Sequence, residues 1–208
     1  MKVVDARWVA GVAMLSAIAY AISILRLNAP YPILPFLSFD FSEVADLLAY
    51  MFFGLKGGLV ATFAHWMALN MGTPFHRLVG PTMKLLAVVL MMVGIEAFRR
   101  VMKRRAAHLD VLGGIVFRVG GMAMATFVLY YALFPEVYLP FAQAQLSRLG
   151  FTFEEPIALV SVMVAFNALF NLIHVPLSYV PATAIEKAVI RVVPYIRRRE
   201  TMREVRGG

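Results

Sequence analysis

Long apolar runs separated by short polar breaks divide this chain into six predicted helices. The first run, Trp8 to Leu25, is uncharged and lies between Arg7 and Arg26, close to the roughly 20 apolar residues that a membrane-spanning helix needs. We interpret it as a membrane helix rather than a cleaved leader, because it is too long and further apolar runs follow it. The remaining predicted helices cover about 42–53, 58–72, 80–98, 112–134, and 157 to beyond 180.

The breaks between these runs carry signals of their own. Residues 28–40 contain three prolines, which cannot continue a helix and which predict a stiff segment over the outer end of the helices. Asp40 or Ser42 is predicted to cap the second helix. Gly54-Leu55-Lys56-Gly57-Gly58 predicts a tight turn, and residues 135–156 are predicted to form a polar loop.

The amino-acid composition, together with this pattern, predicts the fold class. The 208 residues are 61% hydrophobic and 15% charged, whereas a soluble domain is about 45–50% apolar and about 25% charged. A soluble fold of this length cannot bury so much apolar surface, and disordered chains are poor in such residues. We therefore expect an all-α protein, a single-domain (1–208) polytopic bundle of six transmembrane helices in the cell membrane, contacting the lipid bilayer.

The basic residues predict the orientation. The net charge is +8, and six spans place most Lys and Arg at one end, including Arg118 and a basic tail from about residue 187. Since cytoplasmic loops accumulate Lys and Arg, both termini are predicted to be cytoplasmic. The same logic favours topology over nucleic-acid binding as the reason for the positive charge. The opposite end keeps Arg26, Arg77 and Arg148, with six of the twelve acids, Glu43 and Asp46 among them.

Several kinds of chemistry are excluded or disfavoured. The chain has no cysteine, so disulfides, thiolate zinc sites and cysteine nucleophiles are excluded. It has no phosphate-binding Gly-x-x-x-x-Gly-Lys-Ser/Thr loop, no His-Glu-x-x-His helix and no Gly-x-Ser-x-Gly elbow. Its four histidines lie on four different segments, which disfavours a metal site. We predict no catalytic residues, no metal and no cofactor, and no ATP hydrolysis by this chain alone.

Small residues form a stripe on the first helix. Ala13, Ala17 and Ala21 recur every four residues, which places their methyl groups on one face. Small residues allow close approach of another helix in lipid. The stripe predicts either packing within the bundle or docking of a separate membrane subunit.

A few polar residues within apolar helices are candidates for ligand binding. Asn167, Asn171 and His174 are spaced by four and three residues and share one face of the last helix. Lys84 is a lone charge in the fourth helix, and it must face the interior or extend to the interface. Tyr130 lies deeper in the fifth helix than the interfacial aromatic belt requires.

Taken together, these segments resemble riboflavin-type substrate-binding subunits (S components) of energy-coupling-factor (ECF) transporters. Leu37-Ser38-Phe39-Asp40-Phe41-Ser42-Glu43 is similar to the Leu-x-x-Asp-Phe-Ser-Asp/Glu stretch that opens the second helix there. Phe53-Gly54-Leu55-Lys56-Gly57-Gly58 matches the following turn, and Phe170-Asn171-Leu172-Ile173-His174 resembles Phe-Asn-Leu-Ile-Lys in the last helix. The alanine stripe is similar to the docking face of that family.

The resemblance implies a vitamin-binding membrane subunit, not an enzyme, that captures riboflavin or a related flavin. Its partners would be an energy-coupling transmembrane subunit and two ATPase subunits. Asn171 matches the family's flavin-contacting asparagine, whereas His174 stands where the family usually has lysine. The residues expected at the substrate are Asn171, His174, Asn167, Lys84, Tyr130, Phe39, Asp40 and Phe170, with Ala13, Ala17 and Ala21 at the partner.

Three alternatives stay open at this point. The chain could be an S component for another vitamin or a modified-base precursor. It could be a membrane enzyme in which His65, His174 and Asp46 converge in one cavity. It could also be a self-sufficient permease, although the sequence shows no clear inverted repeat.

Overall fold

The computed structural model describes residues 5–74, 77–102 and 109–192, so most of the predicted basic tail and part of the basic loop after Arg100 lie outside the described residues. Helices dominate these ranges. In chain order the elements are α1 (Ala6–Ile24), β1 (Asn28–Pro30), β2 (Ser38–Asp40), α2 (Ser42–Asn70), α3 (Val79–Val101), α4 (Asp110–Phe127) with a π-helical extension (Val128–Leu133), α5 (Pro135–Ser147) and α6 (Pro156–Val192).

The long α2 is a helical hairpin. Gly54 interrupts it with φ 75° and ψ −179°, a conformation that glycine adopts without the steric penalty other residues meet. The Asp46 and His65 side chains contact each other at 3.1 Å, although 18 residues separate them in sequence. The two arms, 42–53 and 55–70, therefore run antiparallel, as the predicted turn at 54–58 requires.

Contacts between helices fix their relative directions. The Gly94 and Gly113 backbones approach closely, and Arg99 pairs with Asp110, so α3 and α4 are antiparallel. Arg118 bonds Asn171 while Thr126 bonds Asn167, which makes α4 and α6 antiparallel as well. Ser16 bonds the Ala61 carbonyl and Ser23 bonds His65, so α1 runs parallel to the second arm of α2.

These directions give the bundle two different ends. The end that we call the basic end holds the start of α1, the Gly54 turn, the α3–α4 connection and the end of α6. The opposite end, the hairpin end, holds the β1–β2 hairpin, the 71–78 connection and α5. Both ends of the described chain thus lie at the basic end.

Within the described ranges, five helices are long and apolar enough to cross a membrane, by length and composition: α1, α2, α3, α4 with its extension, and α6. The protein is therefore a multi-pass membrane protein. Because the Gly54 turn divides α2 into two arms, these five helices correspond to the six helical segments that the sequence predicts. Its first arm is only about 18 Å long at about 1.5 Å per residue, which is shorter than a bilayer core of about 30 Å.

Two elements at the hairpin end differ from the sequence prediction. The expected irregular proline segment contains a short antiparallel ladder in which Asn28 pairs with Asp40 and Pro30 with Ser38, so the described chain is not entirely α-helical. The expected polar loop contains α5, which begins at Pro135, a position where the missing N–H costs nothing. Ala142 and Leu146 of α5 are fully buried. This packing stabilises a helix that its weak sequence pattern does not predict.

Candidate ligand-binding cavity

A cavity of about 370 Å³ opens between α2, α3, α4 and α6 at the hairpin end. This volume lies in the range of small-molecule sites, about 300–1,000 Å³. Its aromatic wall includes Tyr130, Tyr138, Phe141 and Phe170. Residues 36–38 and 40, which belong to the β1–β2 hairpin, also line it. The cavity is mostly apolar with a few polar groups at its base, which is the usual composition of such sites.

The structure brings most of the predicted substrate residues to this cavity. Those that line it are Asn171, His174, Asn167, Lys84, Tyr130, Asp40 and Phe170. Phe39 is the exception, because it packs behind the lining on Phe170, with ring centroids 5.0 Å apart, and on Tyr31. Phe39 therefore supports the wall from outside.

Arg118 and Glu43 form a buried ion pair at the base of the cavity. Their two parallel contacts measure 2.6 and 3.1 Å, and each side chain is at most 2% exposed. The assignment of Arg118 to the basic end is wrong, because Arg118 pairs with Glu43, whereas Glu43 and Asp46 lie in the first turns of α2 at the hairpin end, as predicted. All three side chains lie inside the bundle, because a charge at this depth needs a partner that lipid cannot provide.

The Arg118 guanidinium uses all its hydrogen-bonding capacity on protein atoms. Its five N–H donors meet two Glu43 oxygens, the Asn171 Oδ1 at 2.9 Å, the His174 Nδ1 at 2.9 Å and the Met91 sulfur at 3.8 Å. No donor is left over for a ligand. Arg118 is therefore a positioning residue in this conformation.

Arg118 also fixes the orientation of two neighbouring side chains. Since a guanidinium only donates, the Asn171 atom facing it must be the oxygen, and the His174 Nδ1 must be the acceptor. His174 is then a neutral ring with its proton on Nε2. The structure thereby selects both the amide orientation and the tautomer.

The Asn171 amide is mostly occupied by protein contacts. Its Nδ2 donates to the Asn167 carbonyl at 2.9 Å and to the Asn167 Oδ1 at 2.5 Å, and Asn167 in turn donates to Thr126. These contacts leave one lone pair on Asn171 Oδ1, one lone pair on Asn167 Oδ1 and one N–H of Asn167 for other partners. In this conformation Asn171 therefore offers a ligand an acceptor but no donor.

Lys84 and Asp40 form a second ion pair at the rim. Lys84 Nζ lies 2.5 Å from Asp40 Oδ2 and 3.0 Å from Ser42 Oγ, so it joins α3 to β2 and to the start of α2. Burial alone raises the pKa of Asp40, but Lys84 and the Ser42 hydrogen bonds outweigh it and lower that pKa below its ordinary value. Asp40 also accepts the Ser42 N–H at 2.8 Å, which is the capping role predicted for it, although Phe41 occupies the cap position.

Sequence reasoning missed Arg118, Glu43 and Tyr138 as cavity residues. Arg118 carried the same signal as Lys84, a lone cation within an apolar helix, but its closeness to a basic loop favoured a topological interpretation. Tyr138 is typical of an interfacial belt by position, yet α5 folds it onto Tyr130 with ring centroids 4.8 Å apart. Tyr130 itself lies in the π-helical extension, a conformation found frequently at functional sites.

The residues of the enzyme alternative are divided between two cavities. Asp46 and His65 contact each other and line a small cavity, whereas His174 lines the large one and bonds Arg118. The His65 Nε2 meets Ser23 Oγ at 3.0 Å. These groups form a Ser–His–Asp chain, but the three residues proposed for catalysis do not converge.

The alanine stripe of α1 is on the outside of the bundle. Ala13, Ala17 and Ala21 are all exposed, so the stripe does not pack against the part of the chain that the structure describes. Ala13 and Ala17 line a shallow apolar groove of about 430 Å³ whose other wall includes Ala64 and Ala68 of α2. Small residues on both walls leave room for another helix.

Comparisons with known proteins agree with this architecture. No family model matches the chain. The chain is 25% identical over 165 residues to the riboflavin transporter RibU of Staphylococcus aureus (strain TCH60), covering 78% of this chain and 81% of that relative. A solved structure of the S component of a bacterial ECF transporter superposes with a TM-score of 0.64 at 20% identity, covering 89% of this chain and 96% of that one. The described chain therefore has the S-component fold, as the sequence resemblance implied.

Proposed function

We propose that this chain is the substrate-binding subunit of an ECF-type transporter and that it captures riboflavin or a related flavin from outside the cell. The observation that carries the proposal is the cavity at the hairpin end, with an aromatic wall and oriented amides at its base. The S-component fold and the similarity to a riboflavin transporter support it. These relatives are transporter components, and the proposal assigns no catalytic step to this chain.

The remaining hydrogen-bonding capacity of the cavity suits a flavin edge. An isoalloxazine is flat and apolar, and its imide edge alternates carbonyl, N–H and carbonyl. The unused Asn171 lone pair would accept the imide N–H, while Asn167 and Lys84 would donate to carbonyls. Tyr130 and Phe170 would contact the ring faces, and aromatic pairs of this kind contribute about 0.5–1.5 kcal/mol beyond area burial.

Six crossings with both termini in the cytoplasm complete the proposed topology. Arg7, Lys56, Arg99 and Arg100 lie at or near the basic end, and that end faces the cytoplasm under the positive-inside rule. The cavity then opens outward. Substrate would enter beside the hairpin, and reorientation of the chain on a coupling subunit, powered by two ATPase subunits, would open the cavity inward.

Ligand binding tests the proposal directly. Purified protein should quench riboflavin fluorescence with nanomolar affinity, and Asn171→Ala should weaken binding by about 1–3 kcal/mol because a buried partner of the ligand is lost. Gln143→Ala, which removes an amide on α5 outside the cavity, serves as the matched control and should bind like the unsubstituted chain.

A panel of ligands separates the related alternatives. A ligand that binds only the folded state raises the melting temperature, so flavins, other vitamins and modified-base precursors are compared by thermal shift. Stabilisation by a non-flavin alone would reassign the substrate but keep the subunit. Transport by vesicles that contain this chain without partners would contradict the proposal that import requires a coupling subunit and two ATPase subunits.

A further inference from the structure

A second, small cavity lies between the arms of α2 and helix α3, behind Lys84 as seen from the ligand cavity. Pro81 and Lys84 line both cavities, so one layer of side chains separates them. The small cavity has about 30 Å³ in which the centre of a water molecule can lie. One water needs about 10–15 Å³ of such space.

Three buried polar atoms on the residues around this cavity have no hydrogen-bond partner among the described residues. They are Asp46 Oδ1, Thr62 Oγ1 and Trp66 Nε1. Asp46 is 0% exposed and Thr62 is 3% exposed. Leaving such groups unsatisfied costs about 1–3 kcal/mol each, and more for a charged one, so their common location calls for a shared partner.

The chemistry of the three atoms identifies that partner. A carboxylate oxygen only accepts, an indole N–H only donates, and a hydroxyl does either. A water molecule matches this set, because it can donate to Asp46, accept from Trp66 and form a third bond with Thr62. Buried waters make about three hydrogen bonds on average.

A metal cation suits the cavity less well. The indole N–H would point its positive end at the ion, and Lys84, a cationic residue, is part of the lining of the same cavity. His65 is already committed, with Nδ1 on Asp46 and Nε2 on Ser23. Within the described residues, no cluster of three or more His, Asp and Glu side chains is arranged to hold a metal.

We infer that this cavity is a binding site for one structural water molecule that bridges Asp46, Thr62 and Trp66. The water ties the second arm of α2 to the first and extends the hydrogen-bond chain that starts at Ser23 and passes through His65. The site is independent of the proposed substrate, since it is defined by atoms outside the ligand cavity.

The two tryptophans of the chain allow a direct test in detergent solution. A long-lived water should give a nuclear Overhauser cross-peak to the indole N–H of Trp66. The other tryptophan, Trp8, lies on the α1 groove and serves as the internal control without such a peak. Thr62→Ile, which fills the cavity, should abolish the Trp66 cross-peak, whereas Thr62→Ser should keep it.

A crystal structure of the unsubstituted protein provides the second measurement and does not depend on the variants folding. One density peak within hydrogen-bond distance of all three atoms is expected. An absent peak together with an absent cross-peak overturns the inference. Stabilisation by Na⁺ over choline at equal ionic strength, with short metal–oxygen contacts at the peak, would overturn it in favour of a cation. Unchanged riboflavin affinity in Thr62→Ser is expected and separates this site from the proposed transport function.

Discussion

At the scale of single residues, the Arg118–Glu43 pair decides how the base of the cavity is built. Breaking a buried pair from one side leaves an uncompensated charge and costs about 3–5 kcal/mol. Arg118→Met should therefore lower the free energy of unfolding by that amount, since Arg118 donates to both oxygens of Glu43.

The double variant Arg118→Met, Glu43→Gln should recover much of this loss, because both charges are removed together. Chemical denaturation in nonionic detergent measures the three stabilities. Riboflavin titration of the double variant adds a separate readout, since Asn171 then loses the guanidinium that fixes its amide. Recovered stability with unimpaired affinity would contradict a positioning role for Arg118.

The rim pair of Asp40 and Lys84 makes a prediction about pH. The pKa of Asp40 is lowered in the folded protein, so its charged form stabilises the fold above its ordinary pKa of about 3.9. That contribution is lost as the pH falls through the lowered pKa.

The measurement compares melting temperatures of the unsubstituted chain and Asp40→Asn across pH. The unsubstituted chain should melt higher at neutral pH, and the gap should close below about pH 4. Because other acids titrate in both proteins, the difference isolates Asp40. A gap that widens in acid would contradict the assigned ion pair.

At the scale of elements, α3 and α4 depend on glycine for their close approach. A Cβ on Gly113 would lie 2.3 Å from the Gly94 carbonyl oxygen, whereas a Cβ on Gly120 meets nothing within 4 Å. Gly113→Ala should destabilise the protein by about 1–3 kcal/mol through overpacking.

Gly120→Ala is the matched control on the same helix. It should be neutral or stabilise by up to about 1 kcal/mol, because alanine favours the helix more than glycine does. Thermal unfolding measures both variants. Equal effects of the two substitutions would mean that the helices adjust freely at Gly113.

The elements that sequence predicts well are those whose apolar runs must face lipid. The bounds of α1, both arms of α2, α3, and α4 with its extension lie within a few residues of the predicted ones, and α6 begins one residue before its predicted start. α5 was missed because its pattern is weak and Pro140 lies inside it. Likewise, Arg118 is indistinguishable in sequence from a cytoplasmic anchor until the depth and direction of its side chain are known.

At the scale of the whole molecule, the exposed α1 face is the proposed contact with the coupling subunit. Ala17→Trp should leave riboflavin affinity unchanged, because the stripe lies outside the cavity, but it should abolish uptake by cells that contain the partner subunits. Bulk at this face blocks close approach of a partner helix.

Val116→Trp is the control for a large residue on a lipid-exposed surface elsewhere, since Val116 is 67% exposed on α4. It should retain uptake. Vitamin uptake and ligand titration are measured in parallel for both variants. Normal uptake with Ala17→Trp would assign the alanine face to lipid contact alone.

The saturated Arg118 network has a consequence for redesigning selectivity. Replacing Asn171, the obvious position, would release its bond to Arg118, which joins α6 to α4, so the stability of the fold would fall together with affinity. Met83 and Met122 also line the cavity, and flexible thioethers tolerate exchange. Laboratory evolution toward a new cargo should therefore accumulate its first accepted changes at these two methionines, leaving the ionic base intact.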